Sequence, residues 1–158
     1  YCGGASRRDS VHNGLLAVMN EVDPNDWVLV HDAARCLVTP ALIDRLIDAC
    51  LDDEVGGLLA QPVADTLKHG PAGRVAATLP REGHWLAQTP QMFRLGRLTE
   101  ALEYVIKNTI PVTDDAAAVE ALGERPLLVE GHADNIKITR PGDLALAEFY
   151  LKQQGACA

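Results

Sequence analysis

Residues 27–36, Trp27-Val28-Leu29-Val30-His31-Asp32-Ala33-Ala34-Arg35-Cys36, set a short apolar run directly against a carboxylate and a guanidinium. The run Val28 to Val30 reads as a buried strand. Asp32 and Arg35 then stand at its carboxyl end, which is where ligands bind in open parallel sheets.

The flanking segments give that strand its setting. Downstream, Thr39-Pro40 supplies an N-cap followed by Pro at the first helical position. Leu42, Ile43, Leu46, Ile47 and Cys50 recur at helical spacing, and Gly57 to Val63 reads as a second buried strand. Strand, helix, strand with apolar strands throughout is the pattern of a parallel α/β unit. Upstream, Val11, Leu15, Val18, Met19 and Val22 predict an amphipathic helix over 10–21, with Asp9 or Ser10 as its N-cap.

Residues 64–93 break this rhythm. Two short alternating runs surround Gly70-Pro71-Ala72-Gly73, which predicts an antiparallel hairpin with a loop. The segment has few large apolar residues and needs a second surface to lean on. Beyond it, Leu95, Leu98, Leu102, Val105 and Ile106 predict a helix, and Thr113 is the expected cap of a short one ending before Gly123. PLLVEG and NIKIT read as short strands, and Thr139 as the cap of a last helix holding Leu144, Leu146 and Phe149. The expectation is an α/β fold with a mostly parallel sheet flanked by helices. It is one domain over 1–158, with an arm of about residues 64–90 inserted.

Composition narrows the function. Of 158 residues, 47% are hydrophobic, so the chain is globular. Lys plus Arg number 14 and Asp plus Glu 22, a net charge of −8, which argues against nucleic acid and against an anionic membrane. No apolar run approaches the roughly 20 residues of a membrane span, and no signal-peptide pattern opens the sequence. Cys2, Cys36, Cys50 and Cys157 lack CxxC spacing, which fits isolated thiols in a reducing cytoplasm. The five histidines form no HxxxH pair, so no zinc site is expected.

Polar groups recur at the strand ends. Asp32 and Arg35 lie at one, Asp65, Thr66 and Lys68 past another, and Asp134, Asn135 and Lys137 around a third. Convergence of these groups suits a phosphate ligand carried with Mg²⁺, because a hard divalent cation takes one or two carboxylates plus phosphate oxygens. Lys and Arg neutralise charge that develops in phosphoryl transfer. Each residue also has a plainer reading. Asp32 suits a turn cap, Lys137 suits a solvent-facing position in an alternating strand, and Arg81 suits a solvated loop. His31 reads as a satisfied core histidine, and Trp85 and Phe93 as packing residues. The Gly-rich turn before the first helix is a weak anion-site motif. Residue chemistry alone reaches a Mg²⁺ and phosphate site and leaves the reaction open.

Taken together, GGASRRDSVHNGL, VLVHDAAR, PVADTLK, WLAQTPQMF, TDDAAAVEALG and DNIKITRPGDLALAE resemble, in this order, the 2-C-methyl-D-erythritol 4-phosphate cytidylyltransferase family. The resemblance implies a Rossmann-like nucleotidyltransferase fold, a CMP transfer from CTP to methylerythritol phosphate in isoprenoid synthesis, and a cytoplasmic homodimer. It implies that Lys137 and Arg81 are catalytic and position the methylerythritol phosphate. By the same resemblance Asp32, Arg35, Thr66 and Thr89 contact that substrate, and Gly3, Gly4, Ser10, Asp32 and Ala33 contact the nucleotide. Asp32 is the implied Mg²⁺ ligand. The hairpin is the implied dimerisation arm, with Arg81 and Thr66 serving the neighbouring subunit. The match starts part-way into the family pattern, so the expectation is a chain lacking the N-terminal third and its triphosphate-gripping loop. Cys36 stands where the family usually has Pro, and Pro80 where an acidic residue is common before Arg81. Three rivals remain: a receiver-type phospho-acceptor using Asp32, Thr66 and Lys137, a non-catalytic nucleotide-binding fragment, and a sugar-phosphate nucleotidyltransferase of different base preference.

Overall fold

The computed structural model describes residues 2–155; Cys157 lies outside the described residues. Its first helix, α1, runs Arg7–Val18 rather than 10–21. The cap is Ser6, not Asp9 or Ser10, because the Ser6 hydroxyl accepts from the Asp9 amide at 3.1 Å one turn earlier. β1 is Trp27–Val30 and α2 is Pro40–Cys50. Thr39 caps α2 as expected, its side chain accepting from the Leu42 amide. β2 covers Gly56–Pro62.

A hairpin forms around Gly70-Pro71-Ala72-Gly73, but it is shorter than the expected arm of about residues 64–90, because residues 85–90 belong to the main sheet instead. β3, Leu67–His69, pairs antiparallel with β4, Ala77–Leu79, in a separate two-stranded sheet. β5 then runs Trp85–Arg94 and belongs to the main sheet. α3 is Leu95–Lys107, α4 is Asp115–Glu120, β6 is Leu127–Glu130 and α5 is Pro141–Gln153. Two caps shift by one residue. Asp114, not Thr113, caps α4, its carboxylate accepting from the Ala117 amide at 2.9 Å. Arg140, not Thr139, is the N-cap residue of α5, and Asp143 accepts from the amides of both. NIKIT forms no strand: the Ile138 amide makes one bond to the Ala34 carbonyl, and no ladder follows.

The main sheet has the order β1-β5-β2-β6. β5 is antiparallel to both β1 and β2, and β2 is parallel to β6. Three strands therefore share one direction and the fourth is threaded between them. The sheet is mixed, as an α/β fold with one reversed strand must be. β1 and β2 run parallel without touching, which is why the strand–helix–strand pattern holds while β5 occupies the gap.

Alternation along the strands divides the core into two layers. Leu58 and Phe93 face α1, α3 and α4, joining Leu15, Leu98, Leu102, Val105 and Val119. Leu59 and Met92, the next residues, face α2 and join Leu42, Leu46, Cys50 and Val129. Burial pushes the Cys50 thiol up to about 11, helped by the charge of Asp53, so it behaves as a core hydrophobe. Gly56 adopts φ +102°, and a Cβ there would strike the Met92 carbonyl oxygen. Leu29 and Trp85 are exposed, where the sequence reads a buried strand and a packing residue, and so are Leu144, Leu146 and Phe149 on α5.

The core side of α2 gives a direct test. Leu46 is completely buried, and Leu51, the C-cap residue just past the helix, is half exposed. Leu46→Ala is expected to lose about 2–5 kcal/mol, and Leu51→Ala to stay within about 0.5 kcal/mol, in urea unfolding. Equal losses at the two positions would contradict the layering.

Candidate functional site

The site is built around a departure from regular pairing in β5. Between the pairs Leu58–Gln91 and Ala60–Ala87, β5 has three residues where β2 has one, Leu59. The extra length falls on Gln88, Thr89 and Pro90 and turns polar side chains inward. Gln88, Thr89 and Gln91 are all buried. Buried polar groups need partners, and each has one. The Gln88 amide donates to the His132 carbonyl at 2.9 Å. Gln91 donates to Asp114 at 2.9 Å and accepts from the Ala116 amide at 2.8 Å, tying β5 to the start of α4. Gly131 leaves room for the Gln88 amide, which a Cβ would strike.

Thr89 faces the end of β1. Its hydroxyl accepts from the Asp32 amide at 3.0 Å and lies 3.0 Å from His31 Nδ1. The other ring nitrogen of His31 is 3.0 Å from the Arg35 carbonyl oxygen. His31 is thus satisfied but exposed, a loop organiser rather than the core residue expected from the sequence. Arg35 folds back across the sheet end. It donates to the Asn135 carbonyl at 2.6 Å and the Ala87 carbonyl at 3.2 Å. Asn135 is fully buried, and its amide donates to the Thr89 carbonyl at 2.9 Å.

Asp32 sits between two cations. Arg7 Nε meets Oδ1 at 2.8 Å and Lys137 Nζ meets Oδ2 at 2.8 Å. The Arg7 guanidinium also grips Asp115 through two bonds, of 2.8 and 3.2 Å. Four charges therefore alternate in a line: Asp115, Arg7, Asp32, Lys137. Burial alone would raise Asp32, but the bonds from Lys137 and Arg7 outweigh it and hold the carboxyl below its ordinary value. Burial pushes Asp115 up, against the pull of Arg7. Burial would lower Arg7, but its bonds to Asp115 and Asp32 more than offset this and raise it. Burial lowers Arg35, against the charge of Asp32.

Arg7, Asp32, Arg35, Gln88, Thr89, Asp114 and Lys137 line a cavity of about 210 Å³. Of the sequence-derived candidates, Asp32, Arg35, Thr89 and Lys137 come together here, and Ala33 follows Asp32 in the chain. Lys137 is exposed, as its solvent-facing reading expects, and it also pairs with Asp32. The remaining candidates lie elsewhere. Gly3 and Gly4 are in the loop before α1, where the Gly4 amide donates to the Ser10 hydroxyl at 3.0 Å. Thr66 is exposed beside the hairpin, and Arg81 donates to the Ala64 carbonyl. Lys68 bonds Thr78 within the hairpin rather than turning to the cavity. The receiver-type trio is not assembled, because Thr66 does not line the cavity that holds Asp32 and Lys137.

Arg7 and Asp115 were missed by the sequence reading, although signals exist. Two arginines in the first turn of α1 oppose the helix dipole, so one of them needs an acidic partner elsewhere. The consecutive Asp114-Asp115 supplies one carboxylate for the cap and one for the interior.

The electrostatics predict the acid limb of stability. The folded Asp32 carboxyl sits below its ordinary value of 3.8. Its contribution is complete above that value and fades as pH falls through the lower folded one. Thermal melts from about pH 7 down to about pH 3 are expected to show a shallower loss in Asp32→Asn than in the wild type. Parallel curves would contradict the pairing.

Comparison with known proteins follows this geometry. Residues 1–153 match the family model described as IspD: 2-C-methyl-D-erythritol 4-phosphate cytidylyltransferase. The chain is 57% identical over 156 residues to the 2-C-methyl-D-erythritol 4-phosphate cytidylyltransferase of Nitrosomonas eutropha, covering 97% of this chain and 66% of that protein. It is 58% identical to the protein of the same name from Chromobacterium violaceum, covering 94% and 65%. Among solved structures it is similar to that from Francisella tularensis, with TM-score 0.87 and 41% identity, covering 94% of this chain and 70% of that one. The chain spans about two thirds of the length of these curated relatives.

Proposed function

The chain belongs to the 2-C-methyl-D-erythritol 4-phosphate cytidylyltransferase family, and on that footing we propose that the protein transfers CMP from CTP to methylerythritol phosphate in isoprenoid precursor synthesis. The observation that carries this reading is the cavity at the end of β1, where Asp32, Arg35, Thr89 and Lys137 meet. An oxygen of the substrate phosphate bonds to the α-phosphorus of CTP, and the bond from that phosphorus to the pyrophosphate oxygen breaks. The attacking oxygen is already anionic and needs no strong general base. Positioning and charge neutralisation do the catalytic work.

Lys137 is the cation for the incoming phosphate: its ammonium stands at the cavity, partly exposed, and exchanges Asp32 for a phosphate oxygen. Arg35, braced by the Asn135 and Ala87 carbonyls, and Thr89, which accepts from the Asp32 amide, line the substrate side. Mg²⁺ is a hard cation that takes one or two carboxylates and completes its shell from phosphate and water. Both Asp32 oxygens are engaged by Arg7 and Lys137 here, so the carboxylate is open to the ion only once Lys137 has turned to a phosphate oxygen. Asp32 is the residue that would hold it, and the ion would neutralise nucleotide phosphate charge. Gly3, Gly4, Ser10 and Ala33 are assigned to the nucleotide base and ribose, on the strength of the family motif.

The hairpin is assigned to a homodimer. Both its strands are largely exposed, and Val75 and Leu79 present apolar surface that the chain does not itself cover. Arg81 and Thr66, which lie outside this chain's own cavity, then serve the partner's site.

Pyrophosphate release with CTP, methylerythritol phosphate and Mg²⁺, against ATP and UTP controls, tests the reaction. CTP-dependent release is expected, abolished by Asp32→Ala with the fold intact. Activity in Asp32→Ala, or indifference to the base, would overturn the assignment. Mixing separately inactive Arg81→Ala and Lys137→Ala proteins tests the arm. Recovered activity is expected, because the mixed dimer retains one site with both residues. No recovery, in a protein that sediments as a monomer, contradicts the exchange.

A further inference from the structure

Asp115 is a carboxylate with 1% of its side chain exposed, and it does not line the cavity that holds Asp32. A buried charge persists only when paired and hydrogen-bonded, and its partner is Arg7 through two near-parallel bonds. A guanidinium is a rigid planar fork, so two bonds along one edge fix its plane. The remaining Nε–H then points in a set direction, and it meets Oδ1 of Asp32 at 2.8 Å. The other Asp32 oxygen is left toward Lys137. A line of contacts thus runs from α4 through α1 to the end of β1. Lysine could not replace Arg7 here, since an ammonium is a point charge without a fixed second edge.

We propose that Arg7 and Asp115 are positioning residues for the reaction: Asp115 locks the Arg7 guanidinium, and Arg7 fixes the Asp32 carboxylate so that Oδ2 is the oxygen presented beside Lys137. This rests on the cytidylyl-transfer reading of Asp32 and adds two residues that act through it. Neither is assigned contact with substrate. An ion pair serving only to join α1 to α4 would need the Asp115 edge alone. The Nε bond to Asp32 goes beyond that, and it places Arg7 in the cavity wall.

The test uses Asp115→Asn, Arg7→Lys and the double variant in the protein at its natural full length, with two readouts. The first is the arginine Nε–H signal in ¹⁵N-edited NMR, Arg7 being identified by its absence in Arg7→Lys. A slowly exchanging Arg7 Nε–H is expected in the wild type, and a rapidly exchanging one in Asp115→Asn. The second is steady-state kinetics. Each single variant is expected to lose roughly 10- to 100-fold, the range for residues that orient a ligand-bearing side chain. That loss falls in kcat, with KM near wild type. The double variant is expected to be no worse than the poorer single, because Asp115 acts through Arg7. An unchanged Arg7 signal with wild-type kcat in Asp115→Asn overturns the proposal, as do losses that simply add. If Asp115→Asn does not fold, Arg7→Lys decides, since it keeps the charge on a side chain that is 31% exposed; wild-type kcat there overturns the proposal. A wild-type protein without CTP-dependent pyrophosphate release overturns the functional reading instead, and the NMR signal still judges the clamp.

Discussion

β5 holds hydrogen bonds on both edges, and between two of its pairings it carries three residues where the strand beside it carries one. That mismatch is the constraint on which the rest depends. On one side of it, Met92 and Phe93 alternate into the two core layers and set the register of the sheet. On the other, Gln88 and Thr89 are turned into the interior, where an apolar pattern would have put nothing polar. A buried polar group without a partner costs about 1–3 kcal/mol. The chain answers with Asn135, the His132 carbonyl and the Asp32 amide, all supplied by the segments after β1 and β6. The site is assembled because β5 demands those partners.

Charge is organised on the same plan. Alternating acids and bases in one line keep every member paired, whereas two adjacent carboxylates or two adjacent cations would repel. The line runs from a buried end at Asp115 to an exposed end at Lys137. That gradient suits the proposed reaction, in which Lys137 exchanges Asp32 for a phosphate oxygen. The protein as a whole is acidic, so the cations at this cavity are a local concentration that overall charge does not reveal.

Much of this was legible in the residues. Apolar periodicity found α2, α3, β2 and the hairpin, and Thr39-Pro40 marked its helix start, since local chemistry decides these. Asp32, Arg35, Thr89 and Lys137 were found through motifs at strand ends and family resemblance. What stayed hidden depends on distant pairings. The insertion of β5 between β1 and β2 leaves no local trace. NIKIT alternates as a strand should, but it forms none, because its amides go to scattered acceptors: Asn135 to the His132 carbonyl, Ile138 to the Ala34 carbonyl and Thr139 to the Asp143 carboxylate. Ser6 and Asp114 took the caps from their neighbours by side-chain reach. Arg7 and Asp115 are separated by more than a hundred residues, and only the misplaced positive charge at the start of α1 hinted that a partner was needed.

If nucleotide phosphate and substrate phosphate meet at the end of β1, as proposed, a crystal structure of the natural protein with CTP and Mg²⁺ will show the α-phosphate in the cavity between Asp32 and Lys137, with Asp115 still gripping Arg7. Nucleotide density elsewhere, with the Asp32–Lys137 pair undisturbed, would contradict it.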